Sequence, residues 1–319
     1  MKTIINLLKE LKNNQRGSSM VIVAISLVSL IGFAALVIDI GMLTLDKWRL
    51  TNAIDAAALA GVQELPTSPT RAREVASTYA LSNGCDNAVS TIQSDNGHAN
   101  CKIVVTASRP VNFFFARILG FGSSTVSARA VAKVAGLTSF VGAAPLAVPN
   151  QTFNFNTLYV LKQGSNSPNP PPLGSGNYGA LSLGGTGARN YEDNLKYGYD
   201  GLLAVGNEVD TETGNMSNPT LRAIEYRMSQ CTHSPPCTPS SFDPGCKRIL
   251  IVPVYDPVVI DQGQVKRIRV VGFAAFLVVS VSGQGNENYI DGYFIRMVAN
   301  GGTSNYQTDY GLNGASLIE

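Results

Sequence analysis

Residues 17–65 read GSSMVIVAISLVSLIGFAALVIDIGMLTLDKWRLTNAIDAAALAGVQEL, and this stretch decides how the chain is organised. Between Gly17 and Ile38 there is no charged residue. At 1.5 Å of rise per residue such a run, as a helix, spans roughly 30 Å, the thickness of a hydrocarbon core. Its apolar side chains occupy every face, whereas the core helix of a soluble domain keeps a polar stripe. The stretch therefore predicts a transmembrane helix. Lys2, Lys9, Lys12 and Arg16 precede it, opposed by Glu10, a charge bias that holds the N-terminus in the cytoplasm and sends the residues after about Asp46 outwards. A cleavable secretory signal is the competing reading, because Ala58-Leu59-Ala60 has the small-x-small form. That site lies about twenty residues beyond the apolar run instead of a few, and the run is longer than a signal core, so a retained anchor is expected. Asp39, at the outer margin of the span, reads as a solvated interfacial charge, with a partner contact as the alternative.

Beyond the span, Ala, Leu and charged residues continue without proline to Pro66, which favours helix. Leu50, Ala53, Ile54, Ala57, Ala58 and Gly61 recur on one helical face, and their small side chains let another helix approach closely. The expectation is a single rod through residues 17–65 that bundles with similar rods.

Several residues in this stretch carry a family likeness. Arg16-Gly17-Ser18, Gly32, Asp39-x-Gly41 and then Arg49-Leu50-Thr51-Asn52-Ala53-Ile54-Asp55-Ala56-Ala57-Ala58-Leu59-Ala60-Gly61 resemble the N-terminal signature of the TadG-like (TadE/TadG) proteins of Flp pilus assembly. The element Asn52, Asp55, Ala56, Ala57, Ala58, Leu59, Ala60, Gly61 is the most specific part. The segment 102–136, with Phe113-Phe114-Phe115-Ala116-Arg117 and Val126-Ser127-Ala128-Arg129-Ala130, is similar to the module that follows the stem in that family. The resemblance implies a non-catalytic pilus-assembly or minor-pilin-like protein of the cytoplasmic membrane. Its partners would be other pilin-like and Tad pilus-assembly proteins, met through the N-terminal helix, together with the lipid bilayer. Two departures stand out. Prepilins processed by the dedicated peptidase carry Glu five positions after the cleavage-site Gly, and here Ile22 stands in that place relative to Gly17. Some larger TadG-like proteins carry a von Willebrand A domain with a metal-binding Asp-x-Ser-x-Ser, which this sequence lacks.

Past Pro66 an amphipathic helix is expected over 67–82, with Ala72, Val75, Ala76 and Tyr79 on its inner side. Strands follow at 102–107 and 124–132, joined by the hydrophobic connection 111–119, so that a helix and a small antiparallel sheet form a pilin-like layer. The proline-rich loop 164–172 is too polar to fold by itself. Further strands are expected at 155–161, 178–183, 202–205, 248–255, 266–281 and 289–298, with one helix opened by Asn218-Pro219 and facing inward through Leu221, Ile224 and Met228. The whole is an α+β chain. Residues 1–16 form a basic cytoplasmic tail, 17–65 the span and stem, 66–138 the pilin-like module, 139–172 a boundary and linker, and 173–319 a β-rich extracytoplasmic domain.

The 24 basic and 22 acidic residues nearly cancel, which argues against nucleic acid as a partner. Charged residues make up 14% of the chain, low against roughly a quarter in ordinary soluble domains. All five cysteines lie beyond residue 80, as suits an oxidising compartment. Cys85 and Cys101 flank a short polar loop and are a candidate disulfide. Cys231, His233, Cys237 and Cys246 have metal-ligand chemistry, but paired CxxC knuckles are missing, and a disulfide with one unpaired cysteine is favoured over zinc. His98 and His233 are the two histidines, both near cysteines, and no GxSxG elbow is present. The acidic stretch 207–215 lacks the order of a calcium loop, and Gly184-Gly185-Thr186-Gly187 has no following Lys-Ser/Thr to make a phosphate loop. No enzyme, cofactor, metal or small-molecule substrate is expected from these residues. A membrane-tethered adhesin or glycan-binding module is the alternative to a pilus component.

Overall fold

The computed structural model describes residues 18–95, 97–155, 157–162, 179–212, 214–283 and 288–318. The basic segment 1–16, Gly17 and the loop 164–172 lie outside the described residues. The fold is α+β, with one long helix followed by antiparallel and mixed sheets.

Helix α1 runs without interruption over Ser18–Val62, 45 residues or roughly 68 Å. Its two halves live in different surroundings. From Met20 to Ile40 the large apolar side chains stand exposed on every side, whereas Leu50, Ala53, Ile54, Ala57, Ala58 and Val62 are buried. What buries them is the chain itself. Helix α2 (Pro69–Ser82) lays Ala72, Ala76 and Ala80 against α1, and strands β2 (His98–Asn112) and β3 (Ser123–Val141) supply Ile103, Val105, Ala107, Ala128, Ala130 and Ala132. The small-residue face predicted to receive a helix does receive one, but that helix is α2 of the same chain, and the face is not left open for bundling. At Gly61 an added Cβ would lie 2.7 Å from the Ala72 carbonyl oxygen and 2.8 Å from Ile103 Cδ1. This close approach also corrects the expected inner face of α2: Tyr79 is exposed, because only alanines fit beneath α1.

β2 and β3 pair antiparallel in continuous register from Lys102↔Lys133 to Asn112↔Ser123. The strands extend well beyond the predicted 102–107 and 124–132. The hairpin tip between them contains a 3-10 turn over Ala116–Leu119. Strand β1 (Val89–Asp95), read from sequence as part of a loop, pairs with β2 as the outer strand.

Strand β3 also carries the later part of the chain. β6 (Leu202–Ala204), β12 (Gly302–Ser304) and β13 (Leu312–Leu317) all pair with its C-terminal half, and β11 (Met297–Val298) lies parallel beside β13. A second sheet has the order β4 (Val148–Pro149), β8 (Ile249–Asp261), β9 (Gln264–Ser282), β10 (Tyr289–Ile295), β5 (Leu158–Lys162), with β7 (Glu208–Asp210) also on β9. The β8–β9 hairpin closes at Gln262-Gly263 with φ of 49° and 74°, the positive pair that a two-residue primed turn requires. Phe273, Phe276, Phe294 and Leu250 fill its core.

Two helices pack on this sheet where one was expected. α4 (Ser217–Ser229) matches the Asn218-Pro219 start and buries Ile224 with Ala223, and α3 (Ala188–Tyr197) packs beside it through Tyr191 and Leu195. The strand expected at 178–183 is reduced among the described residues to single bridges at Ala180 and Leu181.

Candidate functional site

The apolar half of α1 ends in a polar clasp. The Asp39 carboxylate is 2% exposed and accepts three backbone N–H groups from the β2–β3 tip: Phe114 at 2.8 Å, Phe115 at 3.0 Å and Ala116 at 2.6 Å. The expectation of a solvated charge is therefore corrected. Asp39 caps the 3-10 turn that starts at Ala116, satisfying donors that the turn leaves open. Farther along α1, Asp46 meets Arg109 at 3.9 Å and Lys47 donates to the Ser127 carbonyl, so the hairpin lies along the helix from residue 62 back to residue 39.

That arrangement brings a cluster of exposed apolar groups level with the end of the uncharged run. Phe114 is 65% exposed, Ile118 84% and Phe121 64%, beside a helix whose own Ile38 and Ile40 are also open. α1 is long and apolar enough to cross a membrane. Apolar tips at the foot of such a helix suit the headgroup boundary of a bilayer.

Residues 17–64 match the family Tad, described as Flp pilus-assembly TadE/G-like. Residues 17–64 are thus similar to the TadE/G-like family. The match stops at residue 64, short of the 102–136 module, and comparison with curated proteins and with solved structures found no match. Within the TadE/G-like segment the structure separates the motif residues by role. Ala57, Ala58 and Gly61 face α2 and the sheet, Asp39 holds the hairpin tip, and Gly41 has nothing within 4 Å of a would-be Cβ. Asn52 lies on the exposed side, while Asp55, Ala56, Leu59 and Ala60 are half-buried at the margins of the packed face. The carboxyl of Asp55 is raised by burial. Arg16 and Gly17 lie outside the described residues.

The remaining sequence candidates fall into three groups. Cys85 and Cys101 are buried free thiols of the core beneath α1, with Cys85 Sγ 3.6 Å from Asn87 Oδ1 and Cys101 Sγ 3.8 Å from the Asp95 carbonyl. The acidic stretch is engaged by its own neighbours: Asp210 pairs with Arg267 at 2.7 Å, Glu208 with Arg269 at 2.9 Å, and Glu212 accepts the Gly187 N–H at 2.8 Å. Glu212 is thus the partner of the glycine loop.

The third group comes together. Cys231, His233, Cys237 and Cys246 place their ligand atoms within 4.8 Å of one another in the segment between α4 and β8. The hydrogen bond to the His233 ring holds the Cys231 thiol down at about 6, and the same contact raises His233, while burial pushes Cys246 up to about 12. Two arginines pin the segment. Arg227, buried, donates to the Lys247 carbonyl at 2.9 Å, and Arg248 donates to the Cys237 carbonyl at 3.3 Å and to the Val278 carbonyl at 2.9 Å. Sequence spacing does not announce this convergence, because the 1-3-8 gaps between the ligands match no paired-knuckle template.

Proposed function

We propose that this chain is a single-pass, non-catalytic component of a Tad-type Flp pilus system, anchored in the cytoplasmic membrane with its N-terminus inside and its folded part outside. The observation that carries the reading is the division of α1. Its C-terminal half is consumed by the chain's own fold, whereas its apolar half is exposed around the whole circumference, and the TadE/G-like match spans both. A helix of that kind is stable only in lipid or among other helices. Lateral contact with pilin-like helices therefore runs through residues 18–40, and the small-residue face of the stem serves internal packing. The positive residues before the span support the orientation. Residues 66–138 act as the pilin-like layer on the stem, and residues 173–319 as the extracytoplasmic unit presented to the fibre or the envelope, the two joined through the sheet that β3 shares with β6, β12 and β13.

Deleting the coding region and imaging cells for pili tests the reading. Fibres should vanish, return with the native chain, and fail to return when residues 19–38 are replaced by an unrelated apolar span of equal length. Intact fibres in the deletion strain would refute a role in assembly, and intact fibres with lost attachment would favour the adhesin instead.

A further inference from the structure

We propose that Cys231, His233, Cys237 and Cys246 bind one zinc ion in a tetrahedral Cys3His site that fixes the 230–248 segment. The geometry is that of ligands around a common centre. A zinc ion with Zn–S of about 2.3 Å and Zn–N of about 2.05 Å sets sulfur and nitrogen roughly 3.5 Å apart and two sulfurs roughly 3.8 Å apart. His233 Nδ1 lies 3.6 Å from Cys231 Sγ and 3.5 Å from Cys237 Sγ, and Cys231 and Cys246 Sγ are 3.4 Å apart. A disulfide, with sulfurs about 2.05 Å apart, would use two of these groups and leave a third cysteine and an imidazole aimed at the same point. One metal ion accounts for all four.

The surroundings have the form of an outer shell. With Nδ1 turned to the centre, His233 presents Nε2 towards Asp243 Oδ2 at 3.6 Å, longer than a hydrogen bond but on the side where a carboxylate supports a ligating ring. Asp243 is itself held by the Gly245 N–H at 2.6 Å. Three thiolates and one imidazole select zinc over the oxygen-seeking cations.

The segment also needs such a tie. Among the described residues between α4 and β8, its backbone pairing amounts to the Thr238↔Ser241 bridge, a few turn bonds and the Val278 N–H to the Arg248 carbonyl at its end, and Cys237 and Cys246 are its buried anchors. Ligands from one short segment closing on one ion supply folding energy where apolar burial is scarce.

The test uses the full chain, carrying a purification tag without histidines and purified in detergent after its normal export. Elemental analysis should find about one zinc per chain, lost at least tenfold in Cys237→Ser and retained in the Cys85→Ser/Cys101→Ser double variant. Cobalt in place of zinc should give the visible bands of a tetrahedral thiolate site. Because Cys237→Ser could fail to fold, the native chain is also treated with a chelator: protease cleavage should rise within residues 230–248 and fall back on adding zinc. Cys237→His, which keeps a ligand, should retain zinc with an altered cobalt spectrum. A zinc-free native chain with Cys231 and Cys246 in a disulfide by non-reducing peptide mapping overturns the proposal. So does zinc content that ignores Cys237→Ser.

Discussion

The Ala116 backbone N–H donates to the Asp39 carboxylate across 2.6 Å, joining the end of the apolar run on α1 to a hairpin tip 77 residues later in the sequence. With Phe114 and Phe115 donating to the same carboxylate, the bond sets the height of the tip relative to the span. Asp39→Ala leaves three N–H groups without their acceptor. Amide exchange at residues 113–119 should then rise roughly tenfold in hydrogen-exchange mass spectrometry, while exchange in β8 and β9 stays unchanged. Equal exchange in the two proteins would show that the clasp does not hold the tip.

If the tip lies at the bilayer boundary, its aromatic groups meet lipid. In a chain with Trp48→Phe and Phe121→Trp, reconstituted into vesicles, the indole should be quenched by labels near the headgroups and spared by labels at the bilayer centre. Quenching by water-soluble iodide alone places the tip in solvent and removes it from the membrane surface.

Gly61 allows α2 to touch α1. A Cβ there meets backbone and cannot be relieved by moving one side chain, so Gly61→Ala should lower stability by about 1–3 kcal/mol despite its better helix propensity. Gly41→Ala, with nothing within 4 Å, is the control and should leave the melting temperature of the detergent-solubilised chain unchanged or slightly raised.

Lys162 gives a pH signature. It is fully buried on β5, bonded to Asn288 Oδ1 at 3.0 Å and Asn215 Oδ1 at 3.3 Å, and burial lowers its ammonium to about 8. The unfolded chain holds that proton more tightly, so the cost of burying the charge is fully present below about pH 8 and is relieved as pH rises towards 10.5. Relative to Lys162→Met, the native chain should gain roughly 2 kcal/mol between pH 7 and pH 9.5 in denaturant titrations. A pH-independent difference would mean that Lys162 keeps its ordinary affinity for the proton.

How much of this was legible beforehand depended on whether the signal was local. The span needs only its own uncharged residues to be recognised, and β2, β3, β8 and β9 alternate or run apolar strongly enough to be read directly. α3 was missed because ARNYEDNLKY is polar and buries only Tyr191 and Leu195. β1 was missed because VSTIQSD buries little of itself. The small-residue face was read correctly as a seat for a helix and wrongly as an intermolecular one, since composition shows that a face must be covered but not by whom. Asp39 depends on a hairpin tip brought in by the tertiary fold, and no pattern near it in sequence points to that partner. The Cys/His residue types stand together in sequence, but their spacing matches no knuckle template that would announce how they converge.

The pairing of β13 with β3 orders events in time as well as space. Residues 312–317 are made well after β3, yet they complete the sheet built against the stem. A molecule stalled or clipped before position 312 presents β3 with its hydrogen-bonding groups bare along that side, a sticky edge that proteases or chaperones can recognise. Strand β13 thus acts as a seal on the finished sheet, and fragments truncated before it should be removed before they can compete for a place among intact copies.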